Sequence, residues 1–253
     1  TKSIRAREYY DVNQTGTRNL LEACARQRAG IRKFVLVSSL AAAGPALEGR
    51  PVMVDDDPHP VSVYGRSKLL AEQEALGFRD RFPVVIVRPT AVYGPRDTDV
   101  FELFKCASKG IIFDVRGSER FLNWCYVSDL ADVLLRAGEQ EVPSGSVYFA
   151  AEDRAYSTSE FQELLQQTGG VAARIMTVPA WMGYAIGTLS EAAGAIRGKA
   201  TIMNRQKVRE AVQQAWTCDM TKTRQDLAFS AQVPLEQGLA YTWKWYREQK
   251  WIR

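Results

Sequence analysis

Two short runs decide most of what this chain can become. KFVLVSS (33–39) and PVVIVRP (83–89) are apolar at successive positions and rich in β-branched residues. A strand with one wet face alternates polar and apolar residues. A run that is apolar throughout has both faces covered, as in a parallel sheet packed between helices. The chain around these runs supplies the helices such a sheet needs. Residues 5–28 carry an apolar stripe of Leu20, Leu21, Ala23, Cys24 and Ala25, ended by Gly30. After a Gly/Pro/Asp-rich loop (43–62), the pattern predicts a helix over 63–79. Strand, loop, helix and strand in this order predict an α/β fold with a parallel sheet. Beyond residue 95 the pattern loosens. Helices are expected near 98–109, 128–137, 157–168, 179–194, 203–214 and 235–249, with strands near 111–115, 147–150 and 174–178. The second part, 96–253, therefore reads as a smaller α+β lobe, with part of 111–150 returning to the domain built by 1–95.

Bulk properties remove several classes of function. A net charge of +4 spread along 253 residues gives no nucleic-acid-binding surface. Cys24, Cys106, Cys125 and Cys218 form no CxxC pair, so no metal site or disulfide framework is expected, and a reducing cytoplasm suits them. The one histidine, His59, lies in the turn-like DDDPHP, with no nucleophile elbow to complete a triad. The opening TKSIRAREYY is charged and helical in character, unlike a secretory signal. IMTVPAWMGYAIGTLS (175–190) is shorter than the roughly 20 residues that cross a bilayer, and Pro179 interrupts it. It reads as a buried or substrate-facing helix in preference to a membrane contact.

The residues with chemistry to offer gather around the two runs. Ser38 and Ser39 end the first, and Tyr64 and Lys68 stand one helical turn apart in VYGRSK (63–68). Ligands of open α/β sheets bind at the carboxyl ends of the strands, so these side chains can converge there. An ammonium beside a phenol favours the phenolate, which lets the phenol exchange a proton with a substrate oxygen. A serine hydroxyl facing the same oxygen stabilises charge developing on it. A hydride would have to come from a nicotinamide, since no side chain supplies one.

KFVLVSSLAAAG, YGRSK and IVRPTAVYGP, with YYDVNQTGTRNLLEA (9–23), NWCYVSDLADVLLRA (123–137) and CDMTKTRQDLAFSAQVPLEQGLAYTWKWYRE (218–248), follow one another in a familiar order. In this the chain resembles the extended short-chain dehydrogenase/reductase superfamily, the NAD-dependent epimerase/dehydratase family with its 3β-hydroxysteroid-dehydrogenase-like members. The resemblance implies a Rossmann-like doubly wound sheet with a C-terminal substrate lobe, NAD or NADP as cofactor, a small hydroxyl or ketone substrate and a homodimer paired through helices. It implies that Tyr64 is the acid/base, that Lys68 holds the nicotinamide ribose and tunes Tyr64, and that Ser39 polarises the substrate oxygen. Ser38 is the lesser candidate and is counted with Tyr64 and Lys68 among the cofactor contacts. Asn13 matches the asparagine that shapes a helix and holds a water near the lysine, and Pro89 with Val92 matches the loop lining the nicotinamide.

The family's Gly-rich phosphate turn is absent from 1–253: no GxGxxG occurs, and Gly169–Gly170 follows a predicted helix instead of opening one. The expectation is a sequence that begins inside a longer protein, with the first strands of the sheet upstream. Leu40, Ala41 and Ala42 stand where dehydratases of the group place an acidic pair. SSLAAAG lacks the valine and tyrosine of the epimerases' SSxAVYG and is closer to hydroxysteroid-dehydrogenase-like and flavonol-reductase-like members. Trp181 and Tyr184 suit an apolar alcohol or simply a core. Arg197, Lys199, Arg205, Lys207 and Arg209 suit a diphosphate or simply a solvated face. The reading is an oxidoreductase, with a nucleotide-sugar epimerase as the alternative within the family and a non-catalytic interaction protein as the alternative outside it.

Overall fold

The computed structural model describes residues 6–27, 30–47, 49–115, 119–185, 187–188 and 205–252. β1 (Phe34–Val37) and β2 (Val84–Pro89) form at the two apolar runs and lie in parallel, Phe34 opposite Val84 and Val37 opposite Val87. β6 (Ser146–Ala150) pairs in parallel with the other edge of β2, giving the order β1-β2-β6. With both neighbours in place, Val84, Val85, Ile86 and Val87 are fully buried, which is why the sequence there tolerates no polar alternation.

Helices cover both faces. One side of β2 packs with Leu36, Leu21, Ala71 and Ala75 beneath the first helix and the Val63–Leu76 helix. The other, with Val85 and Val87, packs on Val133 and Ala137 of the Val127–Glu139 helix. The first helix, predicted over 5–28, is not uniform. It runs as an α-turn (Ala6–Tyr9), a π-helical turn (Tyr10–Thr15) and an α-helix (Gly16–Ala25).

Of the stretch expected to return to the sheet, Ser146–Ala150 does so, and the Val127–Glu139 helix packs against it. β4 (Ile111–Val115) instead pairs in parallel with β8 (Arg174–Val178) in a two-stranded sheet of its own. β5 (Phe121–Tyr126) joins β3 (Ala91–Tyr93), β7 (Ala155–Ser157) and β9 (Ala215–Trp216). The lobe has an aromatic core in which Trp124 stacks on Phe161 at 4.3 Å and Phe104 meets Trp243 edge-on at 5.0 Å. Of the helix expected over 179–194, residues 180–185 and 187–188 are helical and the rest lies outside the described residues. Trp181 there is 68% exposed, so it is no core residue, and Tyr184 is half-buried. Among the described residues no helix is long and apolar enough to cross a membrane.

Burial pushes the phenols of Tyr64 and Tyr148 up to about 12, and those of Tyr93, Tyr126, Tyr156 and Tyr246 upward as well. A phenol whose folded value exceeds its unfolded value, about 10, stabilises the fold fully below pH 10. That stabilisation drains away as pH climbs through the folded value. These six tyrosines should therefore stay protonated at a pH where free tyrosine is already ionised, and release their protons together with unfolding. A tyrosinate absorbance titration run in parallel with circular dichroism checks this.

Candidate active site

The pleat sorts the two serines. Side chains alternate along a strand, and at the end of β1 Ser38 is buried while Ser39 is half-buried. The Ser38 N–H still donates to the Val87 carbonyl at 2.7 Å, continuing the ladder. Its hydroxyl turns beneath the Val63–Leu76 helix and donates to the Glu72 carboxylate. Arg88 from β2 grips the same carboxylate, Nε to Oε1 at 2.9 Å and Nη2 to Oε2 at 2.7 Å, with side chains 5% and 3% exposed. Ser39 faces the other way. Its hydroxyl accepts the Ala41 N–H at 3.2 Å, capping a short helix, Leu40–Ala43.

The Val63–Leu76 helix starts at Ser62, whose hydroxyl accepts the Gly65 N–H at 3.0 Å. Gly65 lets this helix touch the Leu40–Ala43 turn: a Cβ there would stand 2.2 Å from the Ala41 carbonyl oxygen. The close approach sets the Leu40–Ala43 turn, which Ser39 caps, against the start of the helix that carries Tyr64, and the Ser39 hydroxyl acts to lower the Tyr64 phenol. One turn on, Lys68 donates from Nζ to the Val37 carbonyl at 3.0 Å, with the ammonium 6.0 Å from the centre of the Tyr64 ring. Asn13, in the π-helical turn, donates from Nδ2 to Ser67 Oγ at 2.9 Å, and Ser67 donates to the Tyr64 carbonyl at 2.7 Å. Tyr9 meets the Tyr64 ring edge-on at 6.0 Å.

The electrostatics differ from the sequence argument. Burial raises Tyr64 most. The Ser39 hydroxyl pulls it back, and Glu210, Tyr9 and Asp99 push it further up. Lys68 is itself lowered by burial, with Glu72 acting in the opposite direction. Its ammonium donates to a carbonyl, and burial holds the Tyr64 phenol protonated near neutral pH.

The structure thus gathers Tyr64, Ser39 and Lys68 around the end of β1 and links Asn13 to Tyr64 through Ser67. Ser38 points away, to Glu72. Pro89 ends β2, buried opposite Ala150, and Val92 in β3 is half-buried against the core. His59 is a loop clamp: its ring nitrogens face the Asp57 and Pro45 carbonyls at 3.2 and 2.9 Å. The lobe reaches the site through its Arg205–Ala211 helix, where Gln206 Oε1 accepts the Val63 N–H at 2.9 Å and Arg209 donates to the Val61 carbonyl at 3.4 Å. Lys207 stands 3.9 Å from Glu210, while Arg197 and Lys199 lie outside the described residues.

Sequence reasoning missed Glu72, Arg88, Gly65 and Ser67. A signal existed for the first pair. An arginine inside a strand buried on both faces demands a counter-charge, and Glu72 follows Lys68 at helical spacing.

Residues 1–151 match the model of the NAD dependent epimerase/dehydratase family. A ceramide reductase of Caulobacter vibrioides is 28% identical over 242 residues, 95% of this chain and 69% of that protein. A UDP-glucose 4-epimerase of Vibrio cholerae is 27% identical over 241 residues, 92% of this chain and 68% of that protein. Among solved structures, the UDP-glucose 4-epimerase of Thermotoga maritima with UDP-glucose superposes with a TM-score of 0.78 at 21% identity, over 97% of this chain and 72% of that one. The UDP-glucuronic acid 4-epimerase of Bacillus cereus with UDP-glucuronic acid and NAD gives 0.74 at 21%, over 94% and 68%. At such identities the structures show the fold, a Rossmann-like α/β sheet carrying a second lobe. The family model covers more than half of the chain, which belongs to the NAD-dependent epimerase/dehydratase family.

Proposed function

We propose that this protein interconverts a hydroxyl and a ketone, with Tyr64 as acid/base, Ser39 polarising the substrate oxygen and Lys68 and Asn13 holding Tyr64 in place. The observation that carries this reading is the Lys68 ammonium, which stands 6.0 Å from the centre of the Tyr64 ring and donates at 3.0 Å to the Val37 carbonyl, at the strand end that leads into Ser39. Two hydroxyls gathered at the carboxyl end of a parallel strand suit a single substrate oxygen. The residues present also suit the nicotinamide end of NAD, which Lys68, Tyr64, Pro89 and Val92 would hold. NAD, when bound, supplies the hydride exchange. Ser38 takes no part, because its hydroxyl is committed to Glu72.

Tyr64, protonated near neutral pH, gives its proton to the oxygen of a ketone as that carbonyl is reduced. In the reverse direction it takes the proton back from the hydroxyl. Ser39 donates to the same oxygen while charge develops there. A homodimer belongs to this reading. The 6–25 and 63–76 helices lie side by side, tied by Gln14 to Glu74 at 2.9 Å and by Arg18 to the same carboxylate, and they leave Val12 and Leu20 exposed.

A nucleotide-sugar epimerase is the second reading, favoured by the epimerases among the relatives. The two differ in what accumulates. The full-length protein is incubated with NAD and either apolar secondary alcohols or UDP-sugars. Net reduced nicotinamide from an alcohol supports the oxidoreductase. Epimerised sugar without net cofactor reduction replaces it with the epimerase.

A further inference from the structure

The buried pair Glu72–Arg88 sits under the helix that carries Tyr64 and Lys68, yet no step of the proposed chemistry uses it. Such a pair contributes little net stability, because desolvating two charges offsets most of their attraction. Its connections suggest another role. Glu72 lies one turn beyond Lys68, so Tyr64, Lys68 and Glu72 form one stripe along the helix. Each partner of Glu72 comes from the end of a different strand, Ser38 from β1 and Arg88 from β2. Ser38 is flanked in sequence by Val37, whose carbonyl receives the Lys68 ammonium at 3.0 Å, and by Ser39, which caps the Leu40–Ala43 turn packed against Gly65. One carboxylate therefore ties the strand end that carries Ser39 and the Lys68 acceptor to the helix that carries Tyr64 and Lys68.

We propose that Glu72, clamped by Arg88 and Ser38, is a positioning residue that fixes the rotation and distance of the Tyr64–Lys68 stripe against the end of β1. Its effect on turnover rests on the hydroxyl/ketone reading, whereas its effect on Lys68 does not. Both carboxylate oxygens of Glu72 are occupied, Oε1 by Ser38 and Arg88 Nε and Oε2 by Arg88 Nη2. Bidentate guanidinium–carboxylate pairs have fixed geometry, which a surface lysine could not provide. The Ser38 hydroxyl ties Glu72 to the end of β1, and it can be removed while the ion pair stays whole.

The test uses the full-length protein and two variants: Ser38→Ala, and the double substitution Glu72→Leu with Arg88→Met. The double variant removes both charges at similar volume, a change that buried pairs commonly survive. Acylation of Lys68 by acetic anhydride is followed by peptide mass spectrometry, with Lys105, Lys222 and Lys244 as internal references. Loosening the Lys68–Val37 contact should speed Lys68 acylation roughly fivefold, about what one net hydrogen bond is worth, and leave the references unchanged. Turnover should fall roughly 10-fold to 100-fold, the effect of small misplacement of reacting groups. Lys68 acylation at the wild-type rate in folded Ser38→Ala overturns the proposal, whatever happens to thermal stability. Faster acylation in a protein that turns over no hydroxyl or ketone leaves the positioning role standing and removes the functional reading instead.

Discussion

Tyr64→Phe should lower kcat by roughly 100-fold to 10,000-fold, the range spanned by a positioned general acid or base, while the protein stays folded. The substitution removes one oxygen and nothing else. The ring keeps its edge contact with Tyr9 at 6.0 Å and its place beside the Lys68 ammonium. Ser39 remains half-buried and still caps the Leu40–Ala43 helix. The expected stability change is therefore small, about 1 kcal/mol. Quenching of NADH fluorescence by the full-length variant, together with single-turnover rates, separates cofactor binding from chemistry. Retention of turnover within a few-fold would remove Tyr64 from the acid/base role and with it the proposed mechanism.

The second large effect is expected from Gly65→Ala. Glycine inside a helix ordinarily costs about 1 kcal/mol relative to alanine, so the exchange would normally stabilise. Here the new methyl would meet the Ala41 carbonyl oxygen at 2.2 Å, the Ala41 carbonyl carbon at 3.0 Å and Pro60 Cβ at 3.1 Å. Two of these atoms are backbone and cannot rotate aside, so the helix itself must move. Overpacking of this kind costs about 1–3 kcal/mol. The displacement also carries Tyr64 away from Ser39, for which roughly 100-fold in rate is a reasonable scale. Gly16→Ala provides the contrast. Its Cβ would meet only Asp11 O, at an ordinary 3.7 Å, in a residue of right-handed helical conformation. Thermal melts and turnover of both variants decide the matter. A Gly65→Ala protein as stable and active as wild type would show that the two helices do not need this approach.

How much of this could be read in advance depended on whether the signal was local. β2 was legible because burial on both faces leaves no polar residue between Val84 and Val87, and β1 because Phe34–Val37 are all apolar, although only Leu36 of the four is buried and Val37 is exposed. The 63–79 helix was legible too, ending three residues early at Leu76 where Gly77 caps it. β5 was missed because Asn123 interrupts its apolar run. That amide is buried, accepting the Cys218 N–H and donating to the Glu152 carbonyl, both at 2.9 Å. β7 and β9 are two- or three-residue strands that exist only through pairing with β5.

In the site, residue types and spacing marked Tyr64, Lys68 and Ser39. They could not say that burial would be the largest influence on Tyr64. That balance depends on Tyr9, Asp99 and Glu210, which come from three distant segments.

The π-helical turn at Tyr10–Thr15 makes the length of the first helix a coordinate of the site. In that turn the Gly16 N–H reaches back five residues to the Asp11 carbonyl, one more than in an α-helix. Were the same residues, none deleted, to wind as uninterrupted α-helix, they would turn further about the axis. Everything on one side would then swing by about 100° relative to the other. The amide of Asn13 would leave Ser67, or Leu21 would leave the core, since a regular helix cannot keep both. A one-residue gap at this point in a comparison of sequences is therefore one the helix can absorb, with the π-helical turn giving way to an α-turn and both Asn13 and Leu21 keeping their sides.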